Sequence, residues 1–245
     1  MTYLSRLALN PRSREVRRDL ADCQKLHRTV MAAFPQAPAA QEAREHFGVL
    51  HRLEAGRDGD PVLLVQSRAA PDWSRLPPGY LLDSGGQREN PACKSIDGGL
   101  DALQPGRELL FRVRANPTRK INTRSGPDGR RSNGTRVELH GEQEWLAWLG
   151  RKAGQSGFRL LSVRASPAVP DTRVAGLDRI TGSRPVANGV NGNGRQRLTF
   201  FSVLFEGRLS IADAKLFRAA VEQGIGSGKA YGFGLLSVAP VKAAV

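Results

Sequence analysis

The chain has 245 residues, 40% of them hydrophobic, which is enough for one large domain or two small ones. Its 37 lysines and arginines outnumber 23 acidic residues, and the net charge of +14 favours an anionic partner such as nucleic acid. The chain has no apolar run long enough to span a membrane and no secretory signal, which argues against a membrane protein and a secreted one. Its two cysteines are too few for a disulfide scaffold or a zinc knuckle. We therefore expect a cytoplasmic protein with no membrane association.

The four histidines, His27, His46, His51 and His140, do not cluster with cysteines or carboxylates at metal-ligand spacing. His46 and His51 are five residues apart, so they would not share a helix face. The sequence therefore predicts neither a metal site nor a cofactor.

The first half of the chain predicts the order β-α-β-β-α-β. Alternating or β-rich segments indicate strands at 3–9, 48–54, 61–66 and 107–115. A helical pattern runs over 12–34, with Asp22 as a plausible N-cap, and a short helix is expected near 97–103. The basic, turn-rich stretch 116–134 is predicted to be a linker or loop.

The second half repeats this order. Strands are expected at 135–140, 157–165 and 198–206, with helices at 142–153 and 210–223, a basic hairpin with a long tip over 173–197, and a final strand GLLSVAP. The repetition predicts an α+β fold of two tandem ferredoxin-like domains, a topology shared with RNA-recognition modules. We expect an N-terminal domain at 1–118 and a C-terminal domain at 119–245.

Five glycines lie within the eleven residues 224–234, the segment GIGSGKAYGFG. Glycines allow positive φ and a close approach of the backbone to a ligand, and exposed N–H groups together with Lys229 would suit a phosphate. The segment is not a P-loop, because Gln223 and Ala230 stand where that motif requires Gly and Ser or Thr. The alternative is a tight connection between a helix and a strand.

Several segments together resemble the CasE family, the type I-E CRISPR repeat endoribonucleases. They are LALNPRSREVRRDLAD…LHRTVMAAFP, LLFRVRANPTRK, EWLAWLGRKA, GFRLLSV and SVLFEGRL…GIGSGKAYGFGLLSVAP, in that order along the chain. The resemblance implies tandem ferredoxin-like domains, binding of the hairpin in each CRISPR repeat and metal-independent cleavage at the base of its stem. It also implies that the guide RNA stays bound within the Cascade complex, with other Cascade subunits as partners.

Metal-free RNA cleavage needs a base for the 2′-hydroxyl, an acid for the leaving oxygen and cations for the phosphate. The resemblance places the catalytic histidine at His27, followed by Arg28. The family commonly has Tyr three residues earlier, where this chain has Gln24, which can hydrogen-bond but cannot act as an acid or base near neutral pH. The identity of a second catalytic group therefore stays open, and nearby cations are expected to lower the pKa of His27.

Further candidates are residues that would bind RNA, although a solvated surface charge is the alternative for each arginine. They are Arg14, Arg17, Arg18, Lys25, Arg119, Lys120, Arg179, Arg184, Gly226, Gly228 and Lys229. The main rival function is a non-catalytic RNA-binding subunit of the same kind of complex. A ribosome-associated RNA-binding protein is a further alternative, which the SGKAYGFG and HRT segments disfavour.

Overall fold

The computed structural model describes residues 1–37, 43–56, 58–83, 85, 89–121, 134–185 and 194–241. The first part of the chain contains β1 (Tyr3–Ala8), α1 (Arg14–Leu20), α2 (Cys23–Met31), α3 (Ala43–His46), β2 (Leu50–Ala55), β3 (Pro61–Ser67) and β4 (Ala92–Ser95). The second part contains α4 (Asp97–Asp101), β5 (Glu108–Ala115), β6 (Thr118–Ile121), β7 (Thr135–Glu138), α5 (Glu142–Gln155), β8 (Phe158–Leu160), β9 (Ser162–Val163), β10 (Ser166–Pro170), β11 (Thr172–Pro185), β12 (Arg195–Ile211), α6 (Ala214–Gln223) and β13 (Leu236–Pro240).

The first sheet has the strand order β2-β3-β1-β4, and every neighbouring pair is antiparallel. On β1, Ser5 and Leu7 are buried while Arg6 is exposed, which is the period-2 alternation of a sheet with one covered face. Helix α2 places Leu26 and Val30 in the core on that face, where they join Leu7. These residues are four apart, so one helical stripe packs on the sheet and leaves the other faces of α2 available.

The second sheet has the order β11-β12-β5-β13, again with antiparallel pairs. Strand β8 pairs with the end of β12 at Leu209 to Ile211, so β8 and β11 follow one another along the same edge of that long strand. Helices α5 and α6 cover one face through Trp148 and Phe217. Both sheets therefore have the ferredoxin-like strand order, which confirms the predicted tandem fold.

Strand β5 lies in the second sheet, and the expectation that it closes the first unit was wrong. Its Val113 pairs with Phe205 of β12 and with Leu236 of β13, while β4 provides the fourth strand of the first sheet. Leu100, on α4, also packs in the second core. We therefore propose a domain boundary just after Ser95 instead of the division into 1–118 and 119–245. The alternating pattern of β5 predicts one buried face, but it carries no information about which sheet the strand joins.

Two other expectations are refined by the structure. The helical pattern over 12–34 resolves into α1, whose N-cap Ser13 accepts a hydrogen bond from the Val16 N–H, and α2, whose N-cap is Asp22 as predicted. The predicted linker contains β6, which pairs with β7, whereas 122–133 lie outside the described residues, as does 186–193 at the predicted hairpin tip. Within the described ranges, the structure contains no helix of sufficient length and apolarity to span a bilayer.

Candidate active site and cationic cavities

The N-terminus of α2 is held between the two halves of the chain. The Asp22 carboxylate accepts hydrogen bonds from the backbone N–H groups of Gln24 at 2.9 Å and Lys25 at 3.3 Å. The same oxygen accepts from the Ser183 N–H of β11 at 3.4 Å. A Cβ on the neighbouring Gly182 would lie 2.7 Å from this carboxylate oxygen. Glycine at this position therefore lets β11 run directly against the helix that carries His27.

Replacing Gly182 with valine is expected to push β11 and α2 apart, because the added atoms would meet both Asp22 and the Sγ atom of Cys23, 2.8 Å from a Cβ. Loss of the N-cap alone lowers the free energy of unfolding by about 1 kcal/mol, and displacement of the helix lowers it further. Thermal unfolding should shift to lower temperature by several degrees. Gly176→Ala on the same strand is the matched control, since its nearest contact would be an ordinary 3.4 Å to Trp145. Equal melting temperatures for the two variants would contradict this view of the contact.

His27, Gln24 and Tyr231 form the centre of the site. The imidazole of His27 and the phenol ring of Tyr231 are 6.2 Å apart between centroids, at 69° in an edge-on arrangement. The Tyr231 hydroxyl donates a hydrogen bond to Gln24 Oε1 at 3.2 Å, across 207 positions of sequence. His27 and Gln24 are three residues apart on α2, so the helix presents both side chains to the tyrosine.

The Gly-rich segment positions Tyr231 through its backbone conformation. Gly228 (φ +74°) and Gly232 (φ +88°) adopt the left-handed conformation on either side of the short 3₁₀ turn Lys229–Tyr231. The Tyr231 N–H donates to the Gly228 carbonyl at 2.8 Å. The Tyr231 ring also stacks on Phe200 of β12, with centroids 5.0 Å apart and planes inclined by 28°. Two glycines and one aromatic contact thus aim the phenol at α2.

Gly226 and Gly228, predicted as RNA contacts, have a packing reason to be glycine. Both have positive φ, and a Cβ would lie 3.0 Å from Trp148 at Gly226 and 2.9 Å from the buried ring of Phe233 at Gly228. A substitution such as Gly228→Val would thus disturb the fold of the turn as well as any contact of the turn with a ligand. Contact of these glycines with RNA stays a prediction.

The site holds a neutral imidazole beside a protonated phenol. Burial lowers the pKa of His27 to about 4, and the charge of Arg44 acts in the same direction. The predicted direction is confirmed, but its causes are burial and Arg44 instead of the expected Lys25, Arg28 and basic residues of α1. The pKa of Tyr231 is raised, chiefly by burial, and the nearby Arg184 guanidinium opposes that rise. At neutral pH, His27 can accept a proton and Tyr231 can donate one.

His51 of β2 is buried beneath the same turn, where a Cβ on Gly232 would lie 3.6 Å from its imidazole. Burial lowers the pKa of His51 to about 3, with further contributions from His27, Arg114 and Arg44. Its Nε2 atom makes no hydrogen bond within the described part of the molecule. The fold therefore holds two neutral imidazoles at this junction.

The half-buried His27 and the buried His51 make stability depend on pH. In the unfolded chain both imidazoles titrate near pH 6.5, whereas the folded chain holds them neutral down to about pH 4 for His27 and about pH 3 for His51. Protonation thus favours the unfolded state, and the stability present above pH 6.5 is lost as the pH falls toward these folded values. Melting temperatures should fall between pH 7 and pH 5. His51→Gln should reduce that slope, whereas His46→Gln at an exposed histidine should keep it; equal slopes for all three proteins would contradict the assignment.

Three cavities with cationic side chains in their lining lie beside α2 or beside the Gly-rich segment, the two segments that carry His27 and Tyr231. The basic cavity beside α2 has a volume of about 410 Å³ and is lined by Arg18, Lys25, Arg28, Thr29, Ala32, Arg75 and Pro77. Four of these residues are cationic and none is acidic, which suits a phosphate. Arg28 and Lys25 thus lie together on a face of α2 adjacent to that of His27. A role of Arg28 in the reaction itself stays a prediction.

The other two cavities share Lys229. One, of about 310 Å³, lies against the Gly-rich segment and is lined in part by Arg136, Lys152 and Lys229. The second, of about 300 Å³, is lined by Arg44, Glu45, Gly48, Arg68, Glu222, Gln223 and Lys229. Burial lowers the pKa of Lys229, and the charge of Arg44 reinforces this. The predicted phosphate setting of Lys229 therefore gains cationic neighbours from distant parts of the sequence.

The remaining predicted RNA-binding residues are exposed at the surface or have partners within the protein. Exposed side chains on α1 and β6 are those of Arg14, Arg17, Arg119 and Lys120. Arg179 is held by two hydrogen bonds, of 2.9 and 2.8 Å, to the Glu138 carboxylate and lies over the Phe201 ring. Arg184 donates to Gln196 at 2.8 Å. These assignments stay predictions.

The residues of this region that sequence reasoning missed include Tyr231, Arg44 and Arg75. Only Tyr231 had a local signal, since it lies inside the Gly-rich segment. Among the residues that the structure describes, no group of three or more histidine, cysteine or acidic side chains is arranged to hold a metal ion.

The fold and the site define a protein of the tandem ferredoxin-like class with a histidine–tyrosine centre amid cationic cavities. The chain belongs to the CRISPR associated protein family, whose model matches residues 2–240. It is 38% identical over 239 residues to the CRISPR-associated endoribonuclease Cse3 of Thermus thermophilus, covering 97% of this chain and 100% of that protein.

Two further comparisons extend this likeness. The chain is 35% identical over 141 residues to the CRISPR system Cascade subunit CasE of Escherichia coli, covering 57% of this chain and 61% of that one. A solved structure of Thermus thermophilus Cse3 bound to an RNA representing a pre-cleavage complex superimposes with a TM-score of 0.70 at 36% identity, covering 98% and 99% of the two chains. These likenesses confirm the resemblance found in the sequence.

Proposed function

We propose that this protein is a metal-independent endoribonuclease that binds the hairpin of CRISPR repeat precursor RNA and cleaves it at the base of the stem. The observation that carries the proposal is the edge-on contact of the neutral His27 imidazole with Tyr231, whose hydroxyl hydrogen-bonds Gln24 on the same helix, with a basic cavity beside that helix. The likeness over almost the whole chain to an endoribonuclease, and to its RNA complex, supports the same function.

The chemistry needs no nucleophile from the protein. The 2′-hydroxyl of the nucleotide before the cut attacks the adjacent phosphate, and His27 removes its proton. Cations near the site stabilise the negative charge that develops on the phosphate. The charge of Arg44 acts on His27 and on Lys229, and that of Arg184 acts on Tyr231, so these cations would stabilise a bound phosphodiester.

The cleaved guide RNA is proposed to stay bound and to enter a Cascade complex with other subunits in the cytoplasm. The likeness to the Escherichia coli Cascade subunit supports this assignment of partners. The net charge of +14 supports retention of the RNA, because many phosphate contacts together produce slow dissociation.

Incubation of the purified protein with a repeat hairpin from the same genome tests the proposal. A hairpin of the same composition with a shuffled stem is the control. We expect one cut in the repeat, none in the control, and a product that remains bound in a gel-shift assay. Tight binding of an uncut repeat would support the rival, a non-catalytic RNA-binding subunit.

A further inference from the structure

We propose that Tyr231 is the second catalytic group: its hydroxyl binds the scissile phosphodiester and gives its proton to the leaving 5′-oxygen. This inference rests on the proposed function and assigns the acid that partners His27.

The placement of the hydroxyl is the first argument. It lies 3.2 Å from Gln24 Oε1, and its ring meets the His27 imidazole edge-on at 6.2 Å between centroids. One phosphodiester bound against His27 would therefore lie beside the phenol. The Gln24 side-chain oxygen accepts the hydrogen bond, and the Gln24 amide cannot act as a general acid near neutral pH. In the complex, an oxygen of the RNA would replace Gln24 Oε1 as the acceptor.

The rigidity of the ring is the second argument. Phe200 stacks on one face of the Tyr231 ring, and the left-handed glycines at 228 and 232 define the turn that carries it. Only the hydroxyl has to exchange one acceptor for another when RNA binds. A preorganised donor of this kind loses little entropy on reaching the transition state.

The charges of the two groups are the third argument. His27 is neutral at pH 7 because burial lowers its pKa, so the free protein has an imidazole that accepts a proton and has none to give. Burial raises the pKa of Tyr231, so the phenol keeps its proton until a stronger base forms beside it. The leaving alkoxide is such a base, and the nearby Arg184 would stabilise the phenolate that remains.

The proton balance closes without an external reagent. The 2′-oxygen forms a bond to phosphorus as its proton moves to His27, and the bond from phosphorus to the 5′-oxygen breaks as that oxygen takes the Tyr231 proton. The products are a 2′,3′-cyclic phosphate and a 5′-hydroxyl. Transfer of the extra proton from imidazolium to phenolate, directly or through water, restores both groups.

Single-turnover cleavage by Tyr231→Phe tests the inference. Phenylalanine keeps the ring and its stacking and removes only the hydroxyl. Repeat binding should be nearly unchanged, because one hydroxyl is a small part of many phosphate contacts, while the rate falls about 100-fold or more. Tyr3→Phe is the matched control, because it removes an exposed hydroxyl that contacts Met1. Cleavage by Tyr231→Phe at the wild-type rate, with an active wild-type protein, would overturn the inference alone. Absence of cleavage by the wild-type protein would overturn the proposed function and the inference with it.

A substrate with sulfur in place of the 5′-oxygen separates acid catalysis from mere positioning. A thiolate is a much weaker base than an alkoxide and leaves without protonation. Tyr231→Phe should therefore approach the wild-type rate on this substrate, whereas His27→Ala should remain slow. An equal loss for Tyr231→Phe on the oxygen and sulfur substrates would overturn the assignment of Tyr231 as the acid.

Discussion

His27→Ala is expected to slow single-turnover cleavage of the repeat RNA by about 10²–10⁴-fold, the usual contribution of one proton-transferring side chain. Binding should be nearly unchanged, because affinity is distributed over many phosphate contacts. The measurement pairs cleavage rates under excess protein with dissociation constants from a gel-shift titration. The variant separates chemistry from recognition because the side chain is small and half-buried on α2.

His140→Ala is the matched control, since it removes an exposed histidine of the second domain. It should cleave and bind like the wild-type protein. Cleavage by His27→Ala at the wild-type rate would remove His27 from the reaction. A large loss of affinity in that variant would instead assign His27 to recognition.

Replacing the nucleotide on the 5′ side of the cut with its 2′-deoxy form should abolish cleavage. The nucleophile belongs to the RNA, so its removal leaves nothing to attack the phosphate. The modified repeat should still bind and should compete with the unmodified one. A repeat with a single deoxynucleotide within the stem, away from the cut, is the control and should be cleaved. Cleavage of the first substrate at the normal position would show that water, not the 2′-hydroxyl, is the nucleophile.

Local patterns predicted much of the fold. Asp22 was recognised as an N-cap because a side-chain acceptor just before an apolar helical stripe has one common explanation. The pairing of β5 was not predictable in the same way. Its alternation shows that one face is buried, whereas its partners in β12 and β13 depend on contacts far along the chain.

The candidate site also combines residues that local patterns predict with residues that only tertiary contacts bring in. His27 was found because a histidine near the start of a capped helix matched a known family motif. In the sequence Tyr231 stands out only as part of a Gly-rich segment, since its contact with Gln24 spans 207 positions and no local pattern encodes it. The low pKa of His27 was expected from nearby sequence cations, but burial and Arg44 cause it, and both depend on tertiary structure.

Cleavage of the repeat RNA by the wild-type protein in excess EDTA tests the central claim most directly, with the product ends identified. We predict one cut at the base of the stem, at the same rate as with magnesium present, leaving a 2′,3′-cyclic phosphate and a 5′-hydroxyl. The claim would be contradicted by loss of cleavage in EDTA that a divalent ion restores without changing the fold of the RNA, or by products that carry a 5′-phosphate.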